Sequence, residues 1–204
     1  LDLAKIEAGC MTWELASFDF RDLIDAAVRG LAGLEHTKPV GFEVDVPEDV
    51  VGYLGDRDRL HQVLTNLLTN AWKFSPDGSD VTVRLRALDG GLEVRVADRG
   101  PGIPDDDEKE RIFDRFRQGV HNLTDKPDGT GLGLPISKEI VQMHGGFIAC
   151  EDNPQGGAVF LFLLPETDPN FPRPIDQAIA GEESGQLDLM PDPRHTIFES
   201  SWVW

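Results

Sequence analysis

Three polar side chains recur at helical spacing in the middle of the chain. Asn66, Asn70 and Lys73 stand at i, i+4 and i+7, so on a helix they leave the same face. Asn is a poor helix-interior residue, because its amide competes for backbone hydrogen bonds. Two of them one turn apart, beside a Lys, point to a polar ligand. An amide oxygen suits a hard cation such as Mg²⁺, and a Lys suits phosphate. On these residues alone, a solvated face with two ordinary amides explains the pattern equally well. Further on, a strand-like run ends in Asp98-Arg99-Gly100-Pro101-Gly102-Ile103. An acidic acceptor there can take a hydrogen bond from the exocyclic amine of adenine, and Gly100 and Gly102 let the backbone approach a flat ring. Alone, Asp-x-Gly-x-Gly is also the composition of a plain turn. A third candidate is Gly129-Thr130-Gly131-Leu132-Gly133-Leu134, placed before a helix. Free N–H groups at a helix N-terminus favour anions. The run is neither a Rossmann fingerprint nor a Walker loop, since no Lys-Ser or Lys-Thr follows.

The elements that must hold these residues are legible in the apolar periodicity. Leu60, Val63, Leu64, Leu67, Leu68 and Ala71 form a continuous stripe, which predicts a central helix within Asp58–Pro76. Upstream, 13–18 reads as a short strand. Asp19 offers an N-cap with Asp22 at N3, and Leu23, Ile24, Ala27, Val28, Leu31 and Leu34 predict an amphipathic helix. Val40, Phe42, Val44 and Val46 alternate as in a strand, and a second short strand lies near Val51–Leu54. Val81, Val83 and Leu85, the turn Asp89-Gly90-Gly91, and Leu92, Val94 and Val96 predict a hairpin. Pro135 suits the first turn of a helix that stops at Gly145-Gly146. Strands are expected at Phe147–Glu151 and Ala158–Leu164, with a Gly-rich turn between them.

Composition bounds the function. The 204 residues carry 19 basic and 37 acidic side chains, a formal charge of −18. Nucleic acid and anionic membrane both require a basic surface, so neither is the expected main partner. Cys10 and Cys150 are too few for a disulfide framework and fit a reducing cytosol. With no 18-residue apolar run, a soluble, cytoplasmic piece is expected. Leu1 in place of Met points to a piece of a longer chain. Residues 166–204 hold eight acidic residues, two basic ones and five prolines, and read as a largely disordered acidic tail.

Taken together, the motifs carry a resemblance that none carries alone. An Asn-rich helix, Asp-x-Gly-x-Gly, Phe113–Phe116, a polar loop and Gly-Thr-Gly-Leu-Gly-Leu occur in that order. From about Leu1 to Pro165 the chain resembles the catalytic ATP-binding domain of bacterial sensor histidine kinases. That domain belongs to the gyrase, heat-shock chaperone, histidine kinase and mismatch-repair ATPase superfamily. Asn66–Phe74 looks like the N box, Asp98–Gly102 the G1 box, Phe113–Phe116 the F box and Gly129–Leu134 the G2 box. The resemblance implies an α+β fold: a two-layer sandwich of the Bergerat type, helices on one face of a mixed sheet. It implies ATP bound between the central helix and a lid at Gln118–Asp128. Asn70 would hold Mg²⁺, Asn66 and Lys73 would reach the phosphates, and Phe74, often Tyr in relatives, would pack near the nucleotide. Asp98 would read adenine beside a wall of Gly100, Gly102 and Ile103. The glycines of the run Gly129, Thr130, Gly131, Leu132, Gly133 and Leu134 would offer N–H groups to phosphate. Arg117, in a Phe-Arg-Gln form shared with hybrid-kinase relatives, would be a further phosphate contact.

The same resemblance divides the chain into 1–12, the end of a dimerisation helix; 13–165, the catalytic domain; and the tail, 166–204. The phosphoacceptor His of the family lies in a His-Glu-x-x-Thr/Ser-Pro setting, and none of His36, His61, His121, His144 or His195 has it. The expected function is therefore to position Mg-ATP for transfer to a His on a dimerisation domain outside this chain. A response regulator receiver domain is the next partner in line, and the parent protein can be membrane-anchored without this piece touching the membrane. Two other classes compete: an ATP-hydrolysing conformational switch on the same fold, and a degenerate docking module. Intact Asn70, Asp98 and the three glycines of the last motif disfavour the module.

Overall fold

The computed structural model describes residues 13–33, 37–48, 51–114 and 131–166. The expected end of a dimerisation helix at 1–12, Leu34, Phe116, Arg117, the lid at 118–128, Gly129, Thr130 and the tail beyond Glu166 lie outside the described residues.

The central helix, α2 (Arg57–Phe74), is capped by Asp56, whose Oδ1 accepts from the Arg59 N–H at 3.1 Å. All six stripe residues, Leu60 through Ala71, are fully buried. The helix ends where Ser75 turns to extended backbone ahead of Pro76, the conformation a following proline imposes. Its last carbonyls do not go unpaired. Lys38 Nζ donates to Trp72 O at 3.1 Å and to Lys73 O at 2.9 Å, a cation at the negative end of the helix dipole.

In front of α2 lie strand β1 (Leu15–Asp19), helix α1 (Phe20–Gly30) and strands β2 (Gly41–Asp45) and β3 (Gly52–Asp56). Asp19 caps α1 as the sequence predicts, its Oδ1 accepting from the Arg21 N–H at 2.9 Å. The helix stops at Gly30 instead of continuing to Leu34. Gly30 and Gly33 are the weakest helix formers in that stretch. Behind α2 come the hairpin β4 (Asp80–Leu88) and β5 (Gly91–Ala97), helix α3 (Asp106–Arg111), helix α4 (Gly133–Met143), and strands β6 (Phe147–Asp152) and β7 (Ala158–Pro165). The segment at 105–110, featureless in its apolar pattern, forms α3 because Asp105 caps it and Lys109 pairs with Asp106 at 2.8 Å and Asp152 at 2.7 Å.

One five-stranded sheet has the order β2-β4-β5-β7-β6, and β1 pairs with β3 in a separate two-stranded sheet. Only β2 and β4 run parallel, which requires a crossover, and α2 lies within that connection. The other pairs are antiparallel, with Val94 opposite Phe162 and Ile148 opposite Phe162 on the next ladder. Val81, Val83, Leu85, Val94, Val96, Phe160, Phe162 and Leu164 share one buried core with α1, α2 and α4. This is the mixed sheet with helices on one face that the sequence leads one to expect. No helix among the described residues is long and apolar enough to cross a membrane.

The small sheet is latched to the helices by His144, the C-cap of α4. The Asp56 N–H donates to His144 Nε2 at 3.0 Å, and Nδ1 lies 2.8 Å from Ile140 O. A carbonyl can only accept, so Nδ1 carries the proton and the ring is neutral. Trp13 packs edge-on against it at 5.6 Å. Burial holds its pKa below the ordinary 6.5, against the opposing pulls of Ile140 O and the Asp56 charge. Because the folded-state pKa is depressed, the stabilisation is complete above about pH 6.5 and is lost as pH falls below it. The urea midpoint should drop between about pH 7.5 and 5.5. His144→Gln, which keeps an acceptor for Asp56 but does not titrate, should show a smaller drop; equal slopes in the two proteins would refute the latch.

Candidate functional site

Asn66, Asn70 and Lys73 lie on the flank of α2 beside its buried stripe, as the spacing requires. Asn66, Asn70 and Lys73 are half-buried, and Phe74 is 55% exposed at the helix end. Lys73 Nζ lies 5.6 Å from the centroid of the Phe74 ring. From Asn66 to Phe74 the helix advances about 12 Å. Each end of that stretch meets a different glycine turn.

At the C-terminal end, α2 meets the turn after β5. A Cβ on Gly100 would come within 2.8 Å of Phe74 O, so only glycine lets these two backbones touch. The Arg99 N–H donates to Ser75 Oγ at 3.3 Å, and Ser75 is buried. Asp98 itself is 3% exposed. Its Oδ1 accepts from the Gly100 N–H at 2.8 Å and the Ala158 N–H at 3.1 Å. Among the described residues its Oδ2 accepts nothing. Burial raises the Asp98 pKa above the ordinary 3.8, and the two backbone donors oppose that rise.

Asp98 is cradled from behind by the β6–β7 turn. Asn153 Nδ2 donates to Asp98 O at 2.7 Å. Gly157 has φ of +101°, and a Cβ on it would fall 2.2 Å from Asp98 O. Gly102, with φ of +71°, faces Gly157 O in turn, at 3.1 Å from where its Cβ would be. Ile103 is half-buried against the core. On the same side Phe113 is buried and meets Phe160 edge-on at 6.4 Å.

Near its middle, α2 meets the start of α4. Leu132 is the N-cap of α4 and makes no side-chain cap hydrogen bond. Gly131 has φ of +66°. Pro135, at the third helical position, has no N–H to satisfy, so the opening N–H groups belong to Gly133 and its neighbours. Leu134 turns into the core. Asn66 Nδ2 donates to Gly133 O at 3.2 Å and to Ser137 Oγ at 3.3 Å.

The fold thus brings Gly133 to Asn66 and Gly100 to Phe74 on α2, with Asp98 bonded to Gly100 and Gly102 beside Gly157, while Phe116, Arg117, Gly129 and Thr130 fall outside the described residues. Sequence reasoning missed Asn153, Gly157 and Ser137. The Gly-rich turn before β7 was the one signal for the first two; Ser137 had none. Among the described residues no three His, Cys, Asp or Glu side chains cluster as metal ligands.

The family model described as histidine kinase-, DNA gyrase B-, and HSP90-like ATPase matches residues 55–168. Hybrid signal transduction histidine kinase D of Dictyostelium discoideum is 37% identical over 176 residues, covering 84% of this chain and 11% of that protein. Signal transduction histidine-protein kinase BarA of Escherichia coli K12 is 37% identical over 199 residues, covering 92% of this chain and 21% of that one. The chain therefore spans a small part of either relative. Among solved structures, the catalytic domain of histidine kinase ThkA superimposes with a TM-score of 0.67 at 30% identity, over 76% of this chain and 97% of that one. Full-length ShkA in complex with AMPPNP gives 0.69 at 31% identity, over 79% and 33%. The chain belongs to the histidine kinase-, DNA gyrase B- and HSP90-like ATPases, and is a histidine kinase-type ATP-binding domain homologous to the sensor kinases of two-component signalling.

Proposed function

We propose that this chain holds Mg-ATP along α2 and presents its γ-phosphoryl group to a His on a dimerisation domain, from which it passes to a response regulator receiver domain in the cytoplasm. The observation that carries the reading is Asp98. Its Oδ1 is committed to two backbone donors, and among the described residues its Oδ2 accepts nothing. A buried, immobilised acceptor beside close-approach glycines matches the amine edge of adenine. The rise of α2 from Phe74 to Asn66 then leads from the ring toward the uncapped start of α4, where N–H groups suit phosphate.

In this reading Asn70 offers an amide oxygen to Mg²⁺, with Lys73, Gly131 and Gly133 and, from outside the described residues, Arg117, Gly129 and Thr130 on the phosphates. An amide oxygen completed by phosphate oxygens is a suitable set for a hard cation that keeps much of its water. The metal supplies charge neutralisation; the protein's share is to orient the nucleotide and keep water from competing. Residues 13–165 form the catalytic domain, 1–12 lead in from the dimerisation helix, and 166–204 are an acidic tail.

The kinase and switch readings part at Asn66. An amide cannot take a proton at neutral pH, so it cannot act as general base on water. That help is typically worth about 10²–10⁴-fold. Saturated with Mg-ATP, the chain should release phosphate at close to the background rate. Mixed with a dimerisation domain bearing its His, it should yield acid-labile phosphohistidine on that domain and none on itself. Hydrolysis near one turnover per second, the low end of ordinary enzyme rates, would favour the switch; phosphohistidine on this chain would overturn the assignment of the acceptor.

A further inference from the structure

Ser137 is a hydroxyl with no exposed surface, one turn into α4 on a face otherwise buried through Pro135, Ile140 and Val141. A buried hydroxyl is costly unless it is bonded. Its Oγ–H donates to Gly133 O at 3.0 Å, the carbonyl four residues back. With its proton spent there, the oxygen accepts from Asn66 Nδ2. The same Nδ2 donates to Gly133 O. These three residues close a small ring of hydrogen bonds between α2 and the first turn of α4.

The chemistry of the ring fixes the orientation of the Asn66 amide. A carbonyl oxygen can only accept, so the amide edge facing Gly133 must be the NH₂. Gly133 O and Ser137 Oγ lie 3.0 Å apart, so they sit together on that edge and hold the NH₂ toward α4. Asn66 is left with Oδ1, an acceptor, which takes no hydrogen bond among the described residues. A phosphate oxygen is also an acceptor, so Oδ1 has nothing to offer it.

We propose that Ser137 is a positioning residue: it locks the Asn66 amide with its NH₂ on α4, so that Oδ1, an acceptor, is the end it presents to the nucleotide site. The group it receives is a donor, either a water held by the metal or the N–H of an incoming imidazole. This rests on the nucleotide site proposed above and departs from the expectation, drawn from the family resemblance, that Asn66 reaches the phosphates. It also explains why the residue is an amide: one end donates to α4 while the other accepts.

The lock is tested first without ligand. In the full chain, the Asn66 side-chain NH₂ pair is identified in a ¹⁵N spectrum as the one that Asn66→Asp removes. Ser137→Ala should shift that pair and raise the exchange of one of its protons roughly tenfold, while Ser137→Thr, which keeps the hydroxyl, should restore it. An unchanged pair in Ser137→Ala overturns the lock. Its role is then tested with AMPPNP, with and without Mg²⁺, and by transfer to a separate His-bearing dimerisation domain. A loss of roughly three- to tenfold confined to Mg-AMPPNP identifies the metal's water as the donor; the same loss confined to transfer identifies the imidazole. A released amide with neither loss overturns the positioning role. Asp98→Asn provides the separate control: if it leaves nucleotide affinity intact, the site itself has been misread, whatever Ser137 does.

Discussion

Asp98→Asn is expected to bind Mg-nucleotide ten- to a hundredfold more weakly while folding at least as stably as the parent. The two effects have different origins. Losing a charge-assisted hydrogen bond in a buried site costs about 1.5–3 kcal/mol. The structure shows which atom changes. The amide oxygen of the variant inherits the bonds from the Gly100 and Ala158 N–H groups, so its NH₂ takes the place of Oδ2. A donor then faces the adenine amine, also a donor. Stability moves the other way. Burial raises the Asp98 pKa in the folded state, so the ionised form is disfavoured there, and stability is lost as pH rises through the raised pKa. An amide removes that penalty at neutral pH. Titration calorimetry with AMPPNP and thermal melts measure both. An inosine nucleotide, which carries an acceptor where adenine carries its amine, should lose less than the adenine one. Unchanged affinity for the adenine nucleotide in a folded variant would end Asp98's role as its reader.

The second large effect is expected one turn behind the site. Gly157→Ala would put a methyl group 2.2 Å from Asp98 O, 2.7 Å from its carbonyl carbon and 2.7 Å from Oδ1, at a φ of +101°. Left-handed backbone costs a non-glycine residue roughly 1–2 kcal/mol, and overpacking against fixed atoms about 1–3 more. A loss of about 3 kcal/mol or more is therefore expected, together with displacement of Asp98 and weakened nucleotide binding. Its neighbour is the control. Gly156 has φ of +89°, but a Cβ there meets nothing within 4 Å, so Gly156→Ala should cost about 1–2 kcal/mol and spare binding. Urea unfolding of the two variants separates strain from collision. Equal losses would mean that the close approach of Gly157 to Asp98 does not constrain this turn.

What the sequence determined by itself is whatever depends on neighbours a few residues apart. The two stripes of α2 follow from a period of 3.6 within eighteen residues. The β4–β5 hairpin follows from alternation around Asp89-Gly90-Gly91. The order of the glycine turns was enough to resemble one ATPase family, and the comparisons bear that out. Stop positions were less legible, as the early end of α1 at Gly30 shows, because capping and glycine propensity compete over energies near 1 kcal/mol.

Only the tertiary structure decided which atoms the candidate residues present. Ala158 reaches Asp98 across 60 positions, Ser137 reaches Asn66 across 71, and His144 reaches Asp56 across 88. No local pattern encodes such pairs. Each depends on the register of β5 against β7, or on where α4 lies across α2, and these are set by how the apolar faces pack. Ser137 and His144 look ordinary in the sequence because a polar side chain announces itself only when burial forces it to find a partner. Once the core has closed, the partner available dictates the proton and the orientation: a neutral His144, an Asp98 with one oxygen committed, and an Asn66 amide with its NH₂ turned to α4.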